Sequence, residues 1–280
     1  IRIVAVDMFY NKSELSNTVN VTTTNTVLDV DANAYMIASN NGRWQPVINS
    51  LFTDLKSQGL YNKIPAFYPF LGTTAAQHKW NAKNPLDTNA AFRLQFFGGG
   101  THSNLGYQCN GTNAYANTFL VPSVNFLSVN SQGCTIVVGT NNNAVNSIEL
   151  GTWTSSTQAF LLSSKRNQSS ASKDMQISGM TIRTNTDYNS IGILTGVKTD
   201  TLIAKMFKNK NLIQSSTSTN SGVLTTRSVF IGASNEGSAV AYSPQRIQFA
   251  AIHEGLTDAE VVALHTIIDN FETAIGRKTW

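Results

Sequence analysis

The chain has 280 residues and a mass of 30.4 kDa, enough for one large domain or one domain plus an attachment segment, and short for two equal ones. Charged residues are only 13% of it, about half the usual share, while hydrophobic residues reach 41%, so the surface is polar through amides and hydroxyls and a core can still be built. The net charge is +4, but the basic residues are scattered apart from a loose group at Lys205, Lys208 and Lys210, and without an aromatic-interleaved basic stripe nucleic acid is not an expected partner.

Two cysteines, Cys109 and Cys134, are too few for a disulfide scaffold and have no zinc-motif spacing. They read as space-filling thiols, with a bond between them left open. No apolar stretch reaches spanning length and no signal-peptide pattern appears, so a soluble chain without a membrane partner is expected. It begins Ile1-Arg2-Ile3 without Met, which reads as a processed chain or a piece of a longer one.

In chain order, residues 1–6 are an apolar β-branched run and residues 19–30 a Thr-rich alternation. Both read as strands of an N-terminal connecting segment, residues 1–33, ahead of a sandwich domain at 34–280. Residues 31–37 fit one helical turn or two. Pro46 stands where a first helical residue would, followed by Val47, Ile48, Leu51, Phe52 and Leu55 on one face and Gly59 as the stop, which predicts a short amphipathic helix. The two prolines of Ile64-Pro65-Ala66-Phe67-Tyr68-Pro69-Phe70-Leu71 exclude a helix interior, and its apolar density predicts an extended, buried segment.

From about residue 90 to 252 the chain is a series of short apolar runs separated by turn chemistry: 91–97, 124–129, 135–138, 144–150, 158–162, 175–182, 191–194, 202–207, 211–213, 228–231 and 247–252. Many short strands at this spacing indicate a mostly β sandwich or barrel. Lys208-Asn209-Lys210-Asn211 reads as a hairpin turn, and Gly98-Gly99-Gly100 ends a strand; no Gly-Lys-Ser/Thr follows to make a phosphate loop. The last element is a helix over 257–275. Thr257 and Glu260 form a capping box, Asp258 adds negative charge at the N-terminus, Val261, Leu264, Ile268, Phe271 and Ile275 make one stripe, and Gly276 stops it before Arg277 and Lys278.

Glycoside hydrolysis needs two carboxylates flanking the scissile bond. Asp29-Val30-Asp31 lies in the N-terminal segment, Asp258-Ala259-Glu260 is explained by capping, and Glu149 and Glu254 have no acidic neighbour at strand spacing. No Gly-x-Ser-x-Gly elbow appears. His78 and His102 share one polar stretch and read as loop histidines that could meet, with no third metal ligand; His265 reads as a boundary residue and His253 as solvated. No Asp-rich calcium loop is present. Thus no catalytic residue, metal or cofactor is assigned, and a non-enzyme is expected. Trp80, Tyr107 and Trp153 stand in polar company as candidates for a sugar platform, against the commoner use of such rings in a core or interface, and no ligand-binding residue is assigned.

Five stretches stand together: Phe230-Ile231-Gly232-Ala233, the run from Gln248 through Gly255-Leu256-Thr257-Asp258-Ala259-Glu260, the close from Phe271 to Arg277, and upstream His78-Lys79-Trp80-Asn81 and Asn110-Gly111-Thr112-Asn113-Ala114-Tyr115-Ala116. With the helix and Pro-containing segment at 48–71, this ordered set resembles the concanavalin A-like (laminin-G-like) modules of tailed-bacteriophage virion proteins over residues 34–278. A departure falls at Lys208-Asn209-Lys210, where such modules commonly carry Asn-Gly. The resemblance implies a jelly-roll β-sandwich with a short helix before it and the amphipathic C-terminal helix packed on it. It further implies a structural or adhesive role at the virion surface, in a head fibre, tail or capsid-associated position. The expected partners are other virion proteins, copies of the chain itself and a host surface glycan.

Overall fold

The computed structural model describes residues 27–126, 128–143, 146–166, 173–185, 187–217 and 222–280. The first element is α1 (Val30–Ser39), capped by Asp29, whose carboxylate accepts from the backbone of Asp31 and Ala32. Helix α2 (Gln45–Ser57) has Pro46 in its first turn, buries Ile48, Leu51, Phe52 and Leu55, and is followed by Gly59 at φ 69°. The chain then enters the sheets through β1 (Ala66–Tyr68), α3 (Ala75–His78), β2 (Gln95–Phe97), β3 (Thr101–Ser103), β4 (Gly106–Gln108), β5 (Tyr115–Asn117), α4 (Pro122–Asn125) and β6 (Gln132–Val138). Next come β7 (Leu150–Ser155), β8 (Gln158–Ser163), β9 (Lys173–Ile177), β10 (Met180–Thr184), β11 (Gly192–Lys198), β12 (Ile203–Lys208) and β13 (Asn211–Thr217). The chain closes with β14 (Phe230–Ile231), β15 (Ser234–Asn235), β16 (Ala239–Val240), β17 (Arg246–His253) and α5 (Asp258–Ala274).

Two sheets form the sandwich. One runs β13-β12-β11-β6-β17-β4-β3 with β1 also on β17; the other runs β10-β9-β8-β7-β14-β5-β2, with β15 and β16 beside β7. Pairing is antiparallel except where β15 meets β7. The middle strands of the first sheet, β6, β11 and β17, are buried on both faces, so they lack the polar alternation of a half-exposed strand. On β6, Cys134, Ile136 and Val138 point into the core between the sheets, while Val137 points into a second core with Ile193, Val197, Phe207, Phe249 and Ala251. That second core is closed by the apolar faces of α2 and α5, including Phe52, Leu55, Val261, Leu264, Ile268 and Phe271. The molecule is therefore three layers, helices on sheet on sheet.

Helix α5 has the expected capping box, with Glu260 N–H on Thr257 Oγ1 and Thr257 N–H on Glu260 Oε2. Gly276, at φ 72°, turns the chain so that Arg277 enters the protein. Its buried guanidinium grips Glu272 and donates to the carbonyls of Pro69, Phe70 and Gln248. The terminal Gly-Arg thus locks α5 onto the segment before β2 and onto β17.

Several expectations are corrected. The run at 175–182 is a hairpin rather than one strand, with Ser178 and Gly179 both at positive φ between Ile177 and Met180. Pro122 opens a helical turn where a strand over 124–129 was expected. Of the run 144–150, residues 146–150 are described; among these only Leu150 belongs to a strand, the start of β7, and Ile148 makes an isolated bridge to Tyr242. The short strands β3, β4 and β5 were not anticipated. The expected strand at 1–6 and most of that at 19–30 lie outside the described residues, and Val30 opens α1. Asn209 and Lys210 take φ 48° and 75°, the double positive φ of a tight hairpin, so the missing glycine leaves the turn intact.

Candidate functional site

The chain changes sheets between β2, an edge strand of one, and β3, an edge strand of the other. Side-chain alternation decides what faces outward there. Phe96, Ala116 and Ile231 face the core, so their neighbours Phe97, Tyr115 and Phe230 share the outer face of β2, β5 and β14. Phe97 is paired in register with Tyr115. Their rings stack at 4.8 Å and 13°, and Tyr115 stacks on Phe230 at 4.7 Å and 28°. The rings stand like rungs, each turning a face to the next, and because β2 is the edge the far face of Phe97 looks outward; this side chain is 37% exposed.

Two loops frame that ring. A Cβ on Gly98, at φ 72°, would lie 2.1 Å from the carbonyl oxygen of Asn113, and one on Gly100 would lie 2.5 Å from the Tyr107 ring. The glycine run therefore permits close approach to the turn 110–113. Asn110 Oδ1 accepts from the N–H groups of Thr112, Asn113 and Ala114 at 3.0 Å each, closing that turn. Asn113 Oδ1 accepts from Gly99 N–H at 3.1 Å and from Asn110 Nδ2 at 2.7 Å, tying the loops together. Gln95 on the same face of β2, and Asn110, Thr112 and Asn113 in the turn against Gly98, are exposed beside the ring. None carries a charge.

Beneath this edge His78 and His102 do meet, Nδ1 to Nδ1 at 2.9 Å. His78 Nε2 lies 3.1 Å from the Gly72 carbonyl and so carries its proton there, which makes His78 Nδ1 the acceptor and His102 Nδ1 the donor. Burial, then the neighbouring His102, lowers the His78 pKa to about 3. His102 also stacks on Tyr107 at 4.9 Å and meets the edge of Phe96 at 4.5 Å. The pair props the inner side of the strands that carry the loops.

The sequence candidates fall elsewhere. Tyr107 is fully buried. Trp80 is half-buried against the helix-side core with Lys79 Nζ 4.6 Å above its ring, and Trp153 is half-buried, its carbonyl accepting from Arg227. Phe97 and Tyr115 were missed as a site, although the alternation of Phe96 and Phe97 next to three glycines was a signal. His253 and His265 are both fully buried rather than solvated or at a boundary, because β17 and α5 face each other across the second core.

Asp29, Asp258, Glu260 and Glu149 are engaged. Asp29 pairs with Lys56, Asp258 with Lys205 and Glu260 with Lys63. Glu149 is fully buried, accepting from Ser164 N–H at 2.6 Å and Ser243 Oγ at 2.9 Å, and burial pushes its carboxyl pKa up. The three lysines of the loose basic group are all held by aspartates, Lys205 by Asp258, Lys208 by Asp187 and Lys210 by Asp269. Cys109 and Cys134 are free and buried, and burial raises both thiol pKa values. Among the described residues no three His, Cys, Asp or Glu side chains gather as metal ligands, and no helix is long and apolar enough to cross a membrane.

No protein-family model matches the chain, and no curated protein matches it. Among solved structures it is similar to domain 4 of AbnA, a GH43 extracellular arabinanase from Geobacillus stearothermophilus, at 14% identity and a TM-score of 0.52, over 72% of this chain and 98% of that one. Weaker likenesses are to the receptor-binding domain of botulinum neurotoxin C/D mosaic serotype, with TM-score 0.48, 9% identity, and 74% and 51% coverage of the two chains. The Ruminococcus gnavus IT-sialidase CBM40 gives 0.37, 15%, 49% and 83%. The fold is a mostly β sandwich of two sheets with a short helical part before it and a C-terminal helix packed on it; the strand pattern implied a sandwich or barrel, and the resemblance implied the sandwich with its helices.

Proposed function

We propose that this chain is a non-catalytic carbohydrate-binding module that seats sugar on the outward face of Phe97, between the glycine loop 98–100 and the turn 110–113. The observation that carries the reading is an exposed ring face framed by fixed amides and hydroxyls, the combination that covers the apolar face of a sugar and pairs its hydroxyls. The arabinanase domain of similar fold was solved in complex with arabinotriose, which supports it. The non-catalytic reading is supported by Asp29, Asp258 and Glu260, which are taken up by helix caps and ion pairs, and by Glu149, which is buried away from the surface. Affinity electrophoresis in polysaccharide gels tests binding: retardation of the wild type that Phe97→Ala abolishes is expected. Release of reducing sugar by the purified chain would contradict the non-catalytic half.

Display on a phage particle, alongside other virion proteins and copies of this chain, is the setting that the ordered sequence motifs support. Mass spectrometry of purified particles checks it; a chain found only in the lysate and never in particles would count against it.

A further inference from the structure

We infer that the Phe97 site takes a neutral glycan through a single seated sugar ring, and that Tyr115 is a positioning residue rather than a second platform. This rests on the carbohydrate reading above. Three observations carry it. First, Tyr115 lies between Phe97 and Phe230 with a ring stacked on either side, so both of its faces are spent on neighbours. Phe230 is only 8% exposed, which leaves the far face of Phe97 as the open seat of this row. A sugar stacks through its C–H face on one ring face, so one open face seats one sugar ring.

Second, the exposed side chains beside the seat, Gln95, Asn110, Thr112 and Asn113, present amide groups and a hydroxyl and no cation. Sugar hydroxyls are matched by groups of both kinds, whereas a uronate or sulfate needs an arginine or lysine. The arginine nearest in sequence, Arg93, is turned away: its guanidinium lies 6.0 Å from the Phe119 ring and its Nε 3.4 Å from Asp87. Third, the loops are tied to each other and to the sandwich before any ligand arrives, through Asn113 to Gly99 and through Gly111 N–H to the Ser243 carbonyl at 2.9 Å. Fixed loops lose little freedom on binding, which lets a single-ring contact register.

The test is titration calorimetry of the whole chain against neutral polysaccharides (arabinan, galactan, β-glucan) and acidic ones (alginate, polygalacturonate), at about 50 and about 500 mM salt. The wild type is expected to bind a neutral polymer with less than about a twofold change across that salt range. Phe97→Ala and Phe97→Leu are each expected to weaken it by about tenfold or more, the second keeping bulk without a flat face. Tyr115→Leu, which frees the Phe97 ring to tilt, is expected to weaken binding less than Phe97→Ala, and far-UV circular dichroism verifies that each variant is folded. Binding of acidic polymers that collapses with salt, or neutral binding indifferent to Phe97→Ala, would overturn the inference while leaving a carbohydrate function standing. Silence on both panels would sink the inference and the carbohydrate reading together.

Discussion

Thr135 Oγ1 and Thr195 Oγ1 lie 2.7 Å apart on paired positions of β6 and β11, and this contact links two buried histidines into one chain of hydrogen bonds. Its direction follows from the ends. His253 Nδ1 must donate to the Glu254 carbonyl at 2.7 Å, so its Nε2 accepts from Thr135. His265 Nδ1 accepts from Lys210 N–H at 2.8 Å, so its Nε2 donates to Thr195, which in turn donates to Thr135. Every member is satisfied only when both imidazoles are neutral.

Acid should therefore loosen the helix layer. Burial lowers the pKa of His253 to about 4 and of His265 to about 3, where Lys210 adds to the effect and Asp269 opposes it. With His78, also at about 3, these three take protons near pH 6.5 once unfolded, so the unfolded chain binds more protons below that value. Their contribution is complete above about pH 6.5 and falls by about 1.4 kcal/mol per pH unit per histidine as the pH drops toward 4. Glu149, with its carboxyl pushed up, acts in the opposite sense but is one group against three. The urea midpoint should be clearly lower at about pH 4.5 than at about pH 7.5; equal midpoints would contradict the neutral chain.

Thr135→Val removes the donor to His253 Nε2 without changing shape. An orphaned buried acceptor costs about 1–3 kcal/mol. Chemical unfolding at neutral pH checks the loss, and because the imidazole is freed from its partner the variant should also depend less steeply on pH.

Arg277 is the tie between α5 and the sheet. Arg277→Ala leaves the buried Glu272 carboxylate and three backbone carbonyls unpaired, with an expected cost of about 3–5 kcal/mol. Arg277→Lys should recover little of it, since one ammonium cannot reproduce the two-pronged grip on Glu272. Thermal melts of the two variants measure this directly.

Gly98→Ala places a methyl group 2.1 Å from the Asn113 carbonyl at a φ of 72°. The two loops must part, so glycan affinity should fall by about tenfold or more while the core, remote from this edge, holds the melting temperature nearly constant. A large drop in melting temperature would instead make the loop contact part of the fold.

Much of this architecture is written locally in the sequence. Thr257, Glu260 and the stripe from Val261 to Phe271 specify α5 without reference to the rest of the chain, and Pro46 and Gly59 bracket α2 in the same way. The hairpin at Ser178-Gly179 shows in the sequence only as a change of phase: Met175 and Ile177 alternate before it and Met180 and Ile182 after it, three positions separate Ile177 from Met180, and all four reach one core. The burial of His253 and the exposure of Phe97 are set by tertiary packing: α5 folds back over β17, and β2 has no strand on its outer side. The alternation of Phe96 and Phe97 beside three glycines is the one local trace of the second, and no local pattern encodes the first. The terminal Gly-Arg was legible as a helix stop but not as an anchor, since its acceptors Pro69 and Phe70 are more than 200 residues away.

The seat itself is tested most directly by backbone amide spectra of the labelled chain during addition of a neutral polysaccharide that it binds. The shifts are expected to concentrate at Phe97, Gly98, Gly99, Gly100 and residues 110–115. Shifts confined instead to the cleft formed by Asp31, Lys56, Tyr61 and Asn62, or to the helix layer at large, would contradict the assignment of sugar binding to Phe97.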